Sequence, residues 1–315
     1  MFVGAGVDTL KWNKDEVYRS AILRQFNCLF PQKAFKFNET VDRSLNFQFN
    51  RRNAFLKELP FDMPYRINCL FWDASMRKIL GAVSVNDRWK FVKEWLTCLL
   101  NPVKSSNCIG VDVINEPLRL YRERAVFCPS MAKLLGESWI EQGIDLVREV
   151  RPDLPLFINQ HQIKYRPIQD AVRSLADKFP GINFAFQCTT SFFGVNKFDK
   201  IAVFIDELPK SGIIHIPEIT VWRYHVGNKD LISTPLGDSE YLKEDLKQRQ
   251  MKAYSRLIDS ILLSKRVSCI GFWEPYLGRS FYYQGEEPGF LNESGIIDNE
   301  ELERRINECT RLFRD

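Results

Sequence analysis

The feature that most constrains this chain is an alternation: a short apolar run, then a longer amphipathic stretch, repeated eight times. The runs Met1–Val7, Phe26–Phe30, Arg66–Trp72, Ile109–Ile114, Leu154–Ile158, Asn183–Gln187, Ile213–Ile216 and Ser268–Phe272 have the length and apolar content of strands covered on both faces. Between them helical spacing is read over Asp15–Arg24, Asn86–Leu100, Lys133–Val150, Ile168–Lys178, Val203–Pro209 and Leu242–Leu263, with a closing helix at Glu300–Phe313. Such alternation requires parallel pairing through right-handed crossovers, and eight units close on themselves more naturally than they spread into an open sheet. The predicted fold is α/β, a (β/α)8 TIM barrel forming a single catalytic domain over residues 1–315. An open doubly wound sheet is the alternative.

Charge and composition narrow the partners. The 44 Lys+Arg and 40 Asp+Glu leave a net charge of +4 that is spread rather than clustered, so nucleic acid is not expected. No run approaches the roughly 20 apolar residues of a membrane helix, so no membrane is expected either. The start, Met1-Phe2-Val3-Gly4-Ala5, lacks the basic and apolar regions of a signal peptide. As written the chain reads as cytoplasmic, and as secreted only if a signal was removed. The eight cysteines form no C-x-x-C pair and read as buried thiols. With three histidines in the chain, no metal is expected. Gly4-Ala5-Gly6 resembles a dinucleotide turn, but Thr9 stands where its third glycine belongs. A monomer without a cofactor is expected.

Barrel enzymes carry their active sites at the C-terminal ends of the strands. Here those ends read Gln32-Lys33 on the second strand, Trp72-Asp73 on the third, Asn115-Glu116 on the fourth and Asn159-Gln160-His161 on the fifth. Gln187 ends the sixth, Glu218 the seventh and Trp273-Glu274 the eighth. Amides and carboxylates hydrogen-bond hydroxyls, and indoles stack on sugar rings, so the set suits a saccharide. The fourth and seventh strands face each other across the mouth. Glu116 and Glu218 could therefore flank a glycosidic bond, Glu116 as general acid and then base, Glu218 as nucleophile. That scheme needs Glu218 ionised and Glu116 protonated. Asn115 would bind the sugar 2-hydroxyl, while Asp112, inside its strand, reads as structural. Trp72 and Trp273 read equally as core aromatics or as sugar platforms.

At these residues the sequence resembles glycoside hydrolase family 10, the retaining β-1,4-xylanases of clan A. Val111-Asp112-Val113-Ile114-Asn115-Glu116 matches the family's W-D-V-V-N-E except for the tryptophan, and Ile216-Pro217-Glu218-Ile219-Thr220 is similar to its I-T-E-L-D. Phe26–Phe37 resembles F-N-x-V-T-P-E-N-x-M-K-W; Leu70-Phe71-Trp72, Phe157-Ile158-Asn159, Phe186-Gln187 and Phe272-Trp273 follow in register. The resemblance implies a retaining β-glycosidase acting on a β-linked oligo- or polysaccharide, with Glu116 and Glu218 catalytic. It implies substrate contacts from Asn115, Lys36, Gln32, Lys33, Asn68, Trp72, Asn159, Gln187 and Trp273. The departures fall in the sugar-binding positions. Gln32 and Lys33 replace a glutamate and an asparagine, Asn68 and Asp73 replace two histidines, and Thr189 stands where a histidine supports the nucleophile. His215 and His225 are substitutes for that support, though each reads first as a core or surface residue. Xylan specificity is not implied. The alternative is a sugar-binding barrel whose altered shell no longer activates Glu218. Arg223 and Arg279 suggest acidic decorations on the substrate or, more simply, ion pairs with Glu274, Glu286 or Glu287. Trp222–His225 and Tyr276–Pro288 have the size to close a subsite.

Overall fold

Eight parallel strands close into a barrel in the computed structural model, which describes residues 1–210, 212–222, 240–273, 275, 289–292, 296–297 and 299–311. The strands in chain order are β1 (Phe2–Asp8), β2 (Cys28–Gln32), β3 (Tyr65–Ile67), β4 (Cys108–Asn115), β5 (Leu118–Tyr121), β6 (Arg124–Phe127), β7 (Leu156–Gln160), β8 (Asn183–Ser191), β9 (Ile214–Trp222) and β10 (Val267–Phe272). All but β5 and β6 belong to the barrel, and β10 closes it on β1 through the register Phe2↔Cys269 to Ala5↔Phe272. The open-sheet alternative is thereby excluded. β5 and β6 form an antiparallel hairpin outside the ring, placed directly after Glu116 and Pro117.

Local chemistry sets the element ends. The Asp8 carboxylate accepts from Leu10 N–H at 2.9 Å and starts the helix Thr9–Lys14; Asp15 accepts from Tyr18 N–H at 2.9 Å and starts Glu16–Gln25. The single helix expected over Lys133–Val150 is two, Pro129–Leu135 and Trp139–Val150, because Gly136 takes φ 92 and stops the first. The third strand leaves the ladder after Ile67, earlier than its apolar run suggests, although Phe71 still bridges Ile114. The helix Asn50–Glu58 escapes the reading because one of its two buried residues is an arginine. Arg52 donates to the carbonyls of Cys98 and Leu99 at 2.7 and 2.9 Å, satisfying the end of the helix Arg88–Leu100.

Apolar side chains divide between two cores. Trp12, Trp95, Trp139 and Phe71 belong to the larger one. Cys28, Phe30 and Cys269 form the smaller one, inside the ring. Phe30 fits because Gly4 and Gly271 vacate the lumen: a Cβ on Gly4 would lie 2.2 Å from the Phe30 ring, and one on Gly271 1.9 Å. Gly110 likewise leaves room for Arg66, whose Nη1 would stand 2.4 Å from a Cβ there. The lumen below the mouth is thus filled, as barrels of this kind require. Seven of the eight cysteines are buried and Cys98 is exposed; all are free. Burial pushes the Cys108 thiol up to about 12, so it stays protonated at neutral pH. No described helix is long and apolar enough to cross a membrane.

Gly271→Ala tests the filled lumen. Its new methyl would meet the Pro217 carbonyl at 2.6 Å as well as Phe30, and backbone cannot swing aside. Denaturant unfolding is expected to show a loss of about 3 kcal/mol. Unchanged stability would contradict the packing described.

Candidate active site

The C-terminal ends of the strands surround a cavity of about 570 Å³. Register brings its parts together: Asn115 pairs with Asn159, and Gln187 with Glu218. Bulges between Asp112 and Ile114 and between Ala185 and Gln187 re-aim the side chains beside them. Of the residues read from sequence, Gln32, Lys33, Lys36, Asn68, Trp72, Asn115, Glu116, Gln187, Glu218 and Trp273 line the cavity, while Asn159 is wholly buried beside it. Lys33, Glu116 and Gln162, all on the wall, hold φ of 66, 53 and 60. Non-glycine residues store backbone strain in that region, which concentrates at functional sites.

Glu116 is held from several sides. Gln187 Nε2 donates to its Oε1 at 3.2 Å, and Trp72 Nε1 and Arg119 Nη1 each donate to its Oε2 at 3.2 Å. His161 Nδ1 stands 3.8 Å from the same oxygen. The Lys36 ammonium lies over Trp72 and Trp273, 4.7 and 5.6 Å from their ring centres, and both indoles line the mouth, Trp273 also packing against the smaller core.

Glu218 rests on a buried polar network. Asn68 and Asn159 each donate to Glu218 Oε1 at 3.0 Å. The same two amides donate to Asp112 Oδ2, at 3.0 and 3.3 Å. Arg66 holds the other Asp112 oxygen, and its Nη1 lies 2.7 Å from His215 Nδ1. A guanidinium can only donate, so His215 accepts at Nδ1 and its ring is neutral. Burial and the Arg66 charge both push its pKa well down, in agreement. Asp112 and His215 are structural, as expected. Glu218 is thus held by two asparagines, neither of which the sequence reading had chosen to support it.

The charge state of Glu218 differs from expectation. Glu218 was expected to be the ionised partner; burial instead pushes it up to about 8, with the charges of Glu116 and Asp112 adding, and Lys36 and the Asn159 amide opposing. Burial therefore favours a protonated Glu218 at neutral pH in the free cavity. Two buried polar atoms on the wall, Gln32 Nε2 and Asn115 Oδ1, have no hydrogen-bond partner among the described residues, although their residues are 3% and 4% exposed. Groups in that state are open to hydrogen bonds from water or from a bound molecule.

Trp222, read as part of a segment able to close a subsite, lines the cavity; Arg119, Gln162, Lys164 and Phe198 also belong to this site or its rim and were not read as site residues. The hairpin carrying Arg119 has a signal, the apolar–polar alternation of Leu118–Tyr121. Its turn hides it, because Arg122 and Glu123 take φ 44 and 62 where Asn-Gly is usual. Arg223, His225, Glu274, Arg279, Glu286, Glu287 and the Tyr276–Pro288 segment lie outside the described residues.

A closed parallel barrel with carboxylates, amides and tryptophans around its C-terminal mouth has the layout of a glycoside hydrolase. The chain belongs to glycosyl hydrolase family 10, whose model matches residues 1–295. An endo-1,4-β-xylanase from Caldicellulosiruptor owensensis superposes with a TM-score of 0.80 at 16% identity, over 97% of this chain and 96% of that one. An endoxylanase from a sugarcane soil metagenome gives 0.79 at 15% over 98% and 97%. Xylanase10C from Cellvibrio japonicus gives 0.80 at 15%, over 98% of this chain and 70% of its own. No curated protein matches by sequence.

The position of the Glu218 proton has a measurable consequence. Its pKa is higher folded, about 8, than the unfolded value of 4.5, so folding takes up a proton between those limits. The contribution of this carboxyl to stability is fully present below that window and is lost as pH rises through it. Glu218→Gln is expected to flatten the decline and to unfold at a higher temperature than wild type above pH 8. Parallel pH dependences for the two proteins would refute the buried-carboxyl description.

Proposed function

We propose that the chain is a monomeric, cofactor-independent retaining β-glycosidase, one barrel over residues 1–315, that cleaves a β-linked oligo- or polysaccharide by double displacement. Glu218 is the nucleophile and Glu116 the acid/base. The observation that carries this reading is that both carboxyls line one cavity whose wall also holds unpaired buried amide atoms. The substrate class is supported by related solved structures, one in complex with xylotriose and one from Cellvibrio japonicus in complex with xylopentaose.

Two asparagine donors on Glu218 Oε1 orient the carboxylate and leave its second oxygen for attack on the anomeric carbon. Glu116 protonates the departing glycosidic oxygen, then takes a proton from the water that hydrolyses the glycosyl-enzyme. The cycle uses one proton shared by the pair. That proton rests on Glu218 in the free cavity and must pass to Glu116 for attack, with no change in net charge. Asn115 and Gln32 offer their unpaired amide atoms to sugar hydroxyls, and Trp72 and Trp273 offer ring faces.

Aryl β-xylosides, β-glucosides and β-cellobiosides test the chemistry. Glu218→Ala is expected to lower kcat by about 10³-fold or more, with recovery in azide, and NMR should show the β-anomer as first product. Loss of the shared proton predicts an alkaline limb of kcat/KM centred near pH 8. The ion pair between Arg119 and Glu116, 3.2 Å apart, favours a second reading, a sugar-binding barrel without turnover. Wild type as inert as Glu116→Ala and Glu218→Ala on every sugar, with oligosaccharide binding intact, would establish that reading instead.

A further inference from the structure

Among the described residues, lysines stand beside the two carboxylates around the cavity. Lys33, Lys36 and Lys164 line it against Glu116 and Glu218, and Glu116 already has Arg119 at 3.2 Å. Lys164, just beyond β7, is half-buried and among the described residues has no carboxylate within ion-pairing distance. Its Nζ makes one long hydrogen bond, 3.5 Å to the Thr189 carbonyl. Burial lowers its pKa, and the nearby charge of Lys197 lowers it further. Holding an ammonium partly out of water beside a like charge costs free energy that an anion would recover.

The groups around Lys164 match that need. Gln162 holds φ 60 on the same wall, and its side-chain carbonyl is taken by Leu120 N–H at 3.2 Å, so the amide N–H groups are what it has left to offer. The Thr189 hydroxyl is a further donor on that wall. Lys197, on the exposed turn Phe192–Phe198, adds a second charge.

We propose that Lys164, with Lys197, binds an anionic oxygen group carried by the saccharide, a uronic carboxylate or a sulfate ester, and that the enzyme selects charged over neutral chains. The saccharide half of this rests on the glycosidase reading; the anionic half rests on the lysines.

Thio-linked, uncleavable xylo-oligosaccharides separate binding from turnover. Neutral, uronic-acid-substituted and sulfated versions are titrated calorimetrically into wild type, Lys164→Met and Lys197→Met, at low and high salt, and the cleavable counterparts are assayed for hydrolysis. Wild type is expected to bind at least one charged version about tenfold tighter than the neutral one, with the gap closing in salt. Lys164→Met should bring the constants together. The exposed Lys197→Met should narrow the gap and serves as the test if the first variant does not fold. The tighter of the two charged arms identifies carboxylate or sulfate. Equal affinities in wild type, or a preference that survives both substitutions, would overturn the proposal. Hydrolysis of neutral chains with no charged preference defeats the anion site alone, whereas a Lys164-dependent preference without hydrolysis defeats the catalytic reading alone.

Discussion

An ion pair sealed inside the barrel, Arg66 against Asp112, supports everything above it. Both side chains are fully buried, a placement whose desolvation costs several kcal/mol per ion unless each partner's remaining bonds are met. Here most are. One Asp112 oxygen takes the guanidinium, the other takes two asparagine amides, and Arg66 spends a further N–H on His215 while lying 4.2 Å over the Phe157 ring. Because the same asparagines reach up to Glu218, the position of that carboxyl is tied to a charge in the lumen. Gly110 makes the arrangement possible by carrying no side chain where Arg66 passes.

The two glutamates of the mouth are held in different ways. Glu116 meets an indole, an amide and a guanidinium at a rim in contact with solvent; Glu218 meets buried amides and the negative charges of Glu116 and Asp112, with the Lys36 charge opposing them. Different environments are how two identical carboxyls come to do different work. Burial outweighs the amide donors and Lys36 at Glu218, which is why its proton is retained in the free cavity.

Much of this was legible before any coordinates. Each barrel strand is an apolar run covered on both faces, and the rule that barrel sites sit at strand ends turned Glu116, Glu218 and their neighbouring amides into candidates without further information. Other features resisted for physical reasons. The hairpin bearing Arg119 turns on Arg122 and Glu123, residues that rarely accept left-handed backbone. The helix Asn50–Glu58 buries Arg52, so its apolar stripe is broken. Which glutamate is more deeply desolvated depends on what packs around it, and a linear pattern carries no trace of that. The asparagine support for Glu218 was hidden likewise, since Asn68 and Asn159 lie on different strand ends and meet only when the barrel closes.

The left-handed backbone at Lys33, Glu116 and Gln162 limits how this mouth can change over evolutionary time. A β-branched side chain at any of the three would crowd its own main chain whatever room the cavity offered. Mutational drift there is channelled toward glycine, asparagine, or long unbranched side chains such as those now present. New preferences for the occupant would then arise more readily by exchanging one flexible polar arm for another than by reshaping the wall with bulk.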